Sequence, residues 1–259
     1  MLAGLHDSIQ LVVNSTYDFE KSMGKDDLRQ ANYVIDIGPL PSLPIMGSDV
    51  RFAVGRIFCV GRNYAEHARE MGHDPDREPP FFFMKAPSSI AQSESTIDYP
   101  VGTKDVHHEI EMVVAIGRGG KNIPAEKALE HVWGYGVGLD MTRRDLQGEA
   151  RKMGRPWEMS KSFDHSAPCS ALRPASEIGH PAKGWIRVKV NGEVKQHGDL
   201  SQQIWTVPEQ IAYLSGLVTL QPGDLIFSGT PAGVGPVNKG DKLEGHVEGV
   251  GDLTITYRR

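Results

Sequence analysis

Glu109 and Glu111 stand two residues apart in His107-His108-Glu109-Ile110-Glu111-Met112-Val113-Val114, a stretch otherwise apolar enough to be buried. Strand period two puts His107, Glu109, Glu111 and Val113 on one face and Ile110, Met112 and Val114 on the other. Two carboxylates side by side raise each other's pKa and destabilise a fold unless a cation compensates them. The bland alternative is a solvated strand face with both glutamates in water. Asp140 favours the cation. It follows Gly134-Tyr135-Gly136-Val137-Gly138-Leu139, a short strand pattern that ends in a charge. Three carboxylates with open positions for water or substrate suit a hard ion, so Mg²⁺, Ca²⁺ or Mn²⁺ is expected rather than zinc. His107 and His108 are expected to be structural, because the all-oxygen set suffices.

Other side chains complete a possible reaction centre. His67 and Glu70 are three apart on a short helix expected over 64–71, with Asn63 as N-cap and Gly72 as its stop. A carboxylate oriented on an imidazole makes a general base for water; the alternative is a surface pair. Arg144 and Gln147 share a face of a helix expected over 143–153, and Lys161 lies just beyond it. A basic residue and an amide near a metal can hold a substrate carboxylate and a developing oxyanion. Arg151 and Lys152 read as a solvated helix face. Gly229-Thr230-Pro231-Ala232-Gly233-Val234-Gly235 lacks the Lys-Ser/Thr of a P-loop and the later acidic residue of a dinucleotide fingerprint. That excludes nucleotide binding and leaves a backbone loop near a small acid, with the Thr230 hydroxyl as donor.

The elements that must position these groups are mostly strands. Glycine (29) and proline (17) are spread along the 259 residues, which fits many short strands joined by turns. Residues 52–60, 81–84, 110–116, 137–140, 225–227 and 253–257 read as strands. Asn191-Gly192 between 185–190 and 193–196 is a type I′ hairpin signal. Helices are expected over 124–132 and 208–215 as well. A regular βαβ rhythm is missing, so the fold class is α+β, mainly β. Residues 1–49 read as an N-terminal extension with a Pro-rich arm at 38–49, and 50–259 as the catalytic domain. Residues 74–80 carry three prolines and read as a loop where a lid would lie.

The formal net charge of −5 gives no global attraction to nucleic acid or anionic membrane. Apolar runs are far shorter than the roughly 20 residues of a membrane span. The N-terminus lacks a secretion-signal pattern, and two isolated cysteines offer no disulfide framework. The expected location is the cytoplasm.

FCVGRNYAEHAREMG (58–72), HHEIEMVVAIG (107–117), GYGVGLDMTRRDLQ (134–147), RPWEMSKSFD (155–164) and GDLIFSGTPAGVG (223–235), in this order, resemble the fumarylacetoacetate hydrolase family. Residues 74–83 and the adjoining 141–147 are most similar to its fumarylpyruvate hydrolases of gentisate breakdown. The resemblance implies a β-rich roll, a homodimer, and Mg²⁺ or Mn²⁺ on Glu109, Glu111 and Asp140. It implies a water-activating dyad of His67 and Glu70 on a loop ordered by substrate. Arg144, Gln147, Lys161 and Thr230 fall on substrate and oxyanion positions. Two departures stand out: residues 1–35 match nothing in the family, and Lys85-Ala86-Pro87 stands where Lys-Pro is expected.

The expected reaction is hydrolysis of a carbon–carbon bond in an acylpyruvate, with a 2-oxo acid as substrate. For fumarylpyruvate the products are fumarate and pyruvate. Oxaloacetate decarboxylation, another acylpyruvase activity, or isomerisation of 2-hydroxyhepta-2,4-diene-1,7-dioate uses the same enolate chemistry. A non-catalytic metal-stabilised binding protein is the alternative of a different class.

Overall fold

The computed structural model describes residues 34–35, 38–70 and 78–259. Most of the 1–35 extension and most of the expected lid at 74–80 therefore lie outside the described residues.

Two sheets clasp the main core. The larger has the strand order β4 (Phe81–Lys85), β3 (Ile57–Gly61), β15 (Leu225–Phe227), β8 (Ile110–Ile116), β9 (Val132–Leu139), β11 (Ala167–Cys169) and β5 (Ile90–Gln92), with β12 (Arg173–Pro174) also on β9. The second runs β14 (Glu193–Asp199), β13 (Trp185–Val190), β17 (Lys242–Val247), β18 (Gly251–Tyr257) and β6 (Ser95–Ile97). Most pairs are antiparallel; β15 with β3, β11 with β5 and β18 with β6 are parallel. This is the mixed, mainly β architecture with few short helices that the turn-rich sequence implies.

Strand β8 explains why the layers meet where they do. Every residue in it is buried. Ile110, Met112, Val114 and Ile116 pack toward the second sheet, with Ile186, Val188, Leu243 and Ile255. Val113 and Ala115 pack into a second cluster with Ile57, Cys59, Leu225 and Phe227. A strand buried on both faces leaves no solvated side for a glutamate. The solvated-face alternative for Glu109 and Glu111 is thereby overturned.

The other differences have local causes. The Pro-rich arm is not a plain linker: β1 (Ser42–Ile45) and β2 (Ser48–Ala53) form a hairpin that pairs across the expected boundary at residues 49 and 50. Gly47 turns it at φ +71°, and fully buried Leu43 anchors it in the second cluster. The expected helix over 124–132 is a 3₁₀ stretch at Ala125–His131. The Asn-Gly hairpin forms as its sequence demands, with φ of +52° at Asn191 and +83° at Gly192.

Candidate active site

The helix-to-strand and strand-to-strand joints carry the chemistry. Glu109 sits between β7 (Val106–His108) and β8. There the chain passes from a small sheet, in which β7 lies between β10 (Thr142–Arg143) and β16 (Gly235–Val237), into the large one. Glu111 lies on β8, opposite Gly138 of β9. Asp140 follows β9, its backbone N–H donating to the Glu109 carbonyl at 2.8 Å. Glycines keep this corner tight: a Cβ on Gly138 would lie 2.6 Å from both Val113 and Phe227. The carboxylates of Glu109, Glu111 and Asp140 converge, with one oxygen from each within 4.8 Å of the others, and all three are buried.

Their electrostatic environments differ. Burial alone would raise the Glu109 carboxyl, but Lys161 and Arg144 outweigh it and hold the group well below the usual carboxylate range. Lys161 Nζ lies 2.7 Å from Glu109 and 2.7 Å from Asp140, and Arg144 lies 2.5 Å from the other Glu109 oxygen. Asp140 is also paired with Lys85 at 2.8 Å. Glu111 has no cationic partner among the described residues. Burial, then Asp140 and Glu109, push its carboxyl well above the ordinary value, against the Gly229 N–H that donates to it at 2.7 Å.

A divalent ion fits this set. The donors are hard oxygens, all three carboxylates are buried, and Glu111 has no ion-pair partner among the described residues. Strand period alone leaves all three acids uncompensated; in the structure protein cations already hold two of them. Lys85 is a site residue that the sequence pattern does not single out. It ends a strand, where a lysine ordinarily reaches solvent, yet it is 1% exposed. Its ammonium donates to the carbonyls of Met141 (3.1 Å) and Lys161.

All of the remaining expected residues except Glu70 line the same cavity. His67 and Glu70, on α1 (Ala65–Glu70), are in contact at 3.1 Å from Nδ1 to Oε2. Glu70 also accepts the Gly233 N–H at 3.1 Å. Burial works to raise the Glu70 carboxyl, but hydrogen bonds from His67 and Gly233 bring it below its ordinary value. His67, Glu109, Glu111, Asp140, Arg144, Gln147, Lys161 and Thr230 all face one cavity. Arg144 and Gln147, on α2 (Arg144–Lys152), touch at 2.6 Å, the amide oxygen accepting from the guanidinium. The Gln147 NH₂ is thus left as the donor end of that amide.

Further side chains frame the site. Asn63 ties two loops together rather than serving only the helix start: its NH₂ donates to the carbonyls of Trp205 and Ser228, and its oxygen accepts the Trp205 N–H. His107 bonds Asp105 at 2.9 Å and His108 bonds Gln196 at 2.8 Å, so neither is spent on the carboxylate cluster. Arg151 is exposed, as a solvated helix face implies, and it also lies at the cavity wall with Arg62. Arg62 adopts φ +57°, strained for a non-glycine residue, and stacks its guanidinium 5.3 Å from the Phe81 ring.

A sequence model of the fumarylacetoacetate (FAA) hydrolase C-terminal family matches residues 56–257. The chain belongs to the fumarylacetoacetate hydrolase family. The fumarylpyruvate hydrolase of Pseudomonas aeruginosa, solved with Mn²⁺ and pyruvate, is 52% identical with a TM-score of 0.85, over 88% of this chain and 99% of that one. The mitochondrial oxaloacetate tautomerase of Homo sapiens is 43% identical over 78% of this chain and 91% of its own length. A 5-carboxymethyl-2-hydroxymuconate delta-isomerase of Mycobacterium smegmatis is 33% identical with a TM-score of 0.72, over 84% of this chain and 77% of that one. Family relatives of this chain thus include a hydrolase, a tautomerase and an isomerase. Among the described residues, no helix is long and apolar enough to cross a membrane.

Proposed function

We propose that this protein is a Mg²⁺- or Mn²⁺-dependent acylpyruvate hydrolase that splits fumarylpyruvate and water into fumarate and pyruvate, a step of gentisate breakdown. The observation that carries this reading is His67, paired with Glu70, facing the same cavity as the three buried carboxylates. A base and a metal site in one cavity are what water attack beside a 2-oxo acid needs. Glu109, Glu111 and Asp140 would hold the ion, which supplies a Lewis acid for the 2-oxo-acid end of the substrate.

The protein's own groups do the rest. His67, held by Glu70, takes a proton from water, and the hydroxide attacks the distal carbonyl carbon. Lys161 and the Gln147 NH₂ donate to the oxyanion that forms, each contributing roughly 3 kcal/mol as such donors do elsewhere. The bond to the pyruvyl methylene then breaks, its electron pair leaving as the pyruvate enolate. The enolate takes the proton held by His67 to give pyruvate, and Arg144 and Thr230 retain the anionic product. Arg62 and Arg151 crowd like charges at one wall. Burial and then Arg151 draw the Arg62 guanidinium below its ordinary pKa, a cost that an anionic acyl group such as fumaryl relieves. We extend the reading to a cytoplasmic homodimer, whose subunit count light scattering on the purified chain checks.

A second reading, tautomerisation of oxaloacetate, is favoured by the human relative. One experiment separates them. The Mn²⁺-loaded protein is given fumarylpyruvate and, separately, enol-oxaloacetate, with loss of each enol absorbance and release of fumarate measured. Fumarate release that disappears with chelator and in His67→Ala, while Mn²⁺ binding persists, is the expected result. Tautomerisation without fumarate release would sink the hydrolase reading.

A further inference from the structure

One buried amide on the second sheet governs what a cavity residue can do. Gln196, on β14, is 1% exposed. Its Oε1 accepts the Ile110 N–H at 3.1 Å, and its Nε2 donates to the Pro231 carbonyl at 2.7 Å. A backbone N–H only donates and a carbonyl only accepts, so these two contacts settle which end of the amide is which.

Two more partners are then left without a choice. His108 Nδ1, 2.8 Å from Oε1, must carry the hydrogen it shares. Thr230 Oγ1, 2.8 Å from Nε2, must accept. A threonine hydroxyl has one hydrogen, and with its lone pair committed to Gln196 that hydrogen points elsewhere. No described residue accepts it, and Thr230 lines the cavity that holds the carboxylate cluster.

We propose that Gln196 is a positioning residue that sets the Thr230 hydroxyl as a donor toward an anionic oxygen of the bound 2-oxo acid. The inference rests on the reading of this cavity as the substrate site. The same amide holds the backbone N–H of Ile110, the residue between Glu109 and Glu111. One side chain thus fixes both the metal-holding strand and the donor above it. A donor oriented in advance needs no reorganisation when the anion arrives.

The test uses the full chain loaded with Mn²⁺, and reads pyruvate affinity alongside kcat and KM for fumarylpyruvate. Gln196→Met and Gln196→Glu should each weaken pyruvate binding by roughly tenfold, the loss of one hydrogen bond to a charged group, with Mn²⁺ binding retained. In a Thr230→Val background the same substitutions should change pyruvate affinity by less than about twofold, because the pair acts as a unit. An equal loss in both backgrounds assigns Gln196 a merely structural role and overturns the proposal.

If the Gln196 variants do not fold, Thr230→Ser and Thr230→Val carry the test. Serine should bind pyruvate as the native chain does and valine roughly tenfold more weakly; equal binding by both overturns the proposal. Pyruvate binding without fumarylpyruvate turnover counts against the hydrolase reading alone. No pyruvate binding by the native chain defeats both.

Discussion

Lys161 Nζ lies 2.7 Å from Oε2 of Glu109, so an ammonium already stands among the carboxylates that would hold a metal. Burial lowers the lysine's pKa, but Asp140 and Glu109 reverse that and leave it raised. The ammonium is a resident competitor for the ion and a candidate donor to the oxyanion. Lys161→Met should therefore tighten Mn²⁺ binding by about tenfold or more, since a buried like charge is removed. It should slow turnover by roughly 10²–10³-fold. Calorimetry with Mn²⁺ checks the first half; unchanged affinity would show that the ammonium does not compete.

Metal binding should release protons, and Glu111 is their source. Burial, Asp140 and Glu109 raise its carboxyl, so ion binding is expected to displace a proton from it. Affinity for Mn²⁺ should rise with pH until Glu111 ionises by itself, measured as a buffer-dependent enthalpy in calorimetry. The stability of the metal-free chain carries the opposite sign. A carboxyl raised by folding stabilises below its unfolded pKa, and that contribution fades as pH climbs through the raised value. Glu109, depressed by its cations, stabilises above its unfolded pKa and is lost as pH falls through the depressed value. Stability to chemical denaturant in the presence of chelator should thus decline from the ordinary carboxylate range upward, and excess Mn²⁺ should abolish the decline. A flat profile with and without metal would contradict this assignment.

Lys85 is both buried and bonded to Asp140, Met141 and Lys161. Lys85→Met removes one partner of a buried ion pair and should cost about 3–5 kcal/mol. Excess Mn²⁺ should recover part of the loss, because the ion replaces the missing charge beside Asp140. Urea denaturation with and without metal tests both statements; a cost below about 1 kcal/mol would class the contact with surface pairs.

Arg62 and Arg151 should select for a charged acyl group. Arg62→Asn, which tolerates the positive φ, and Arg151→Met should each raise KM for fumarylpyruvate by roughly tenfold. For acetylpyruvate, whose acyl group carries no charge, KM should stay within about twofold. Equal losses on both substrates would mean that the arginines only shape the pocket.

Much of the fold and site is legible in the amino-acid sequence, and the exceptions share a cause. The period of 107–114 and the charge after Gly134–Leu139 relate Glu109, Glu111 and Asp140 through strand geometry alone. The hairpin at Asn191-Gly192 is legible for the same reason. Lys85 and Gln196 are not. Each owes its role to a partner or cavity formed by residues far away in sequence. Nothing in the local pattern of Phe81–Lys85 or Glu193–Asp199 distinguishes a buried polar residue from a solvated one. The Ala125–His131 segment errs the other way: its composition favours α-helix, yet it winds as 3₁₀.

Lys85, Arg144 and Lys161 face Glu109 and Asp140 in four ion pairs, two of them made by the one Lys161 ammonium. These pairs predict that the chain completes its folding without divalent ions, with any loading left as a late and reversible event. Supply, rather than assembly, would then decide which ion the mature protein carries, and withdrawal would idle the molecule without unfolding it.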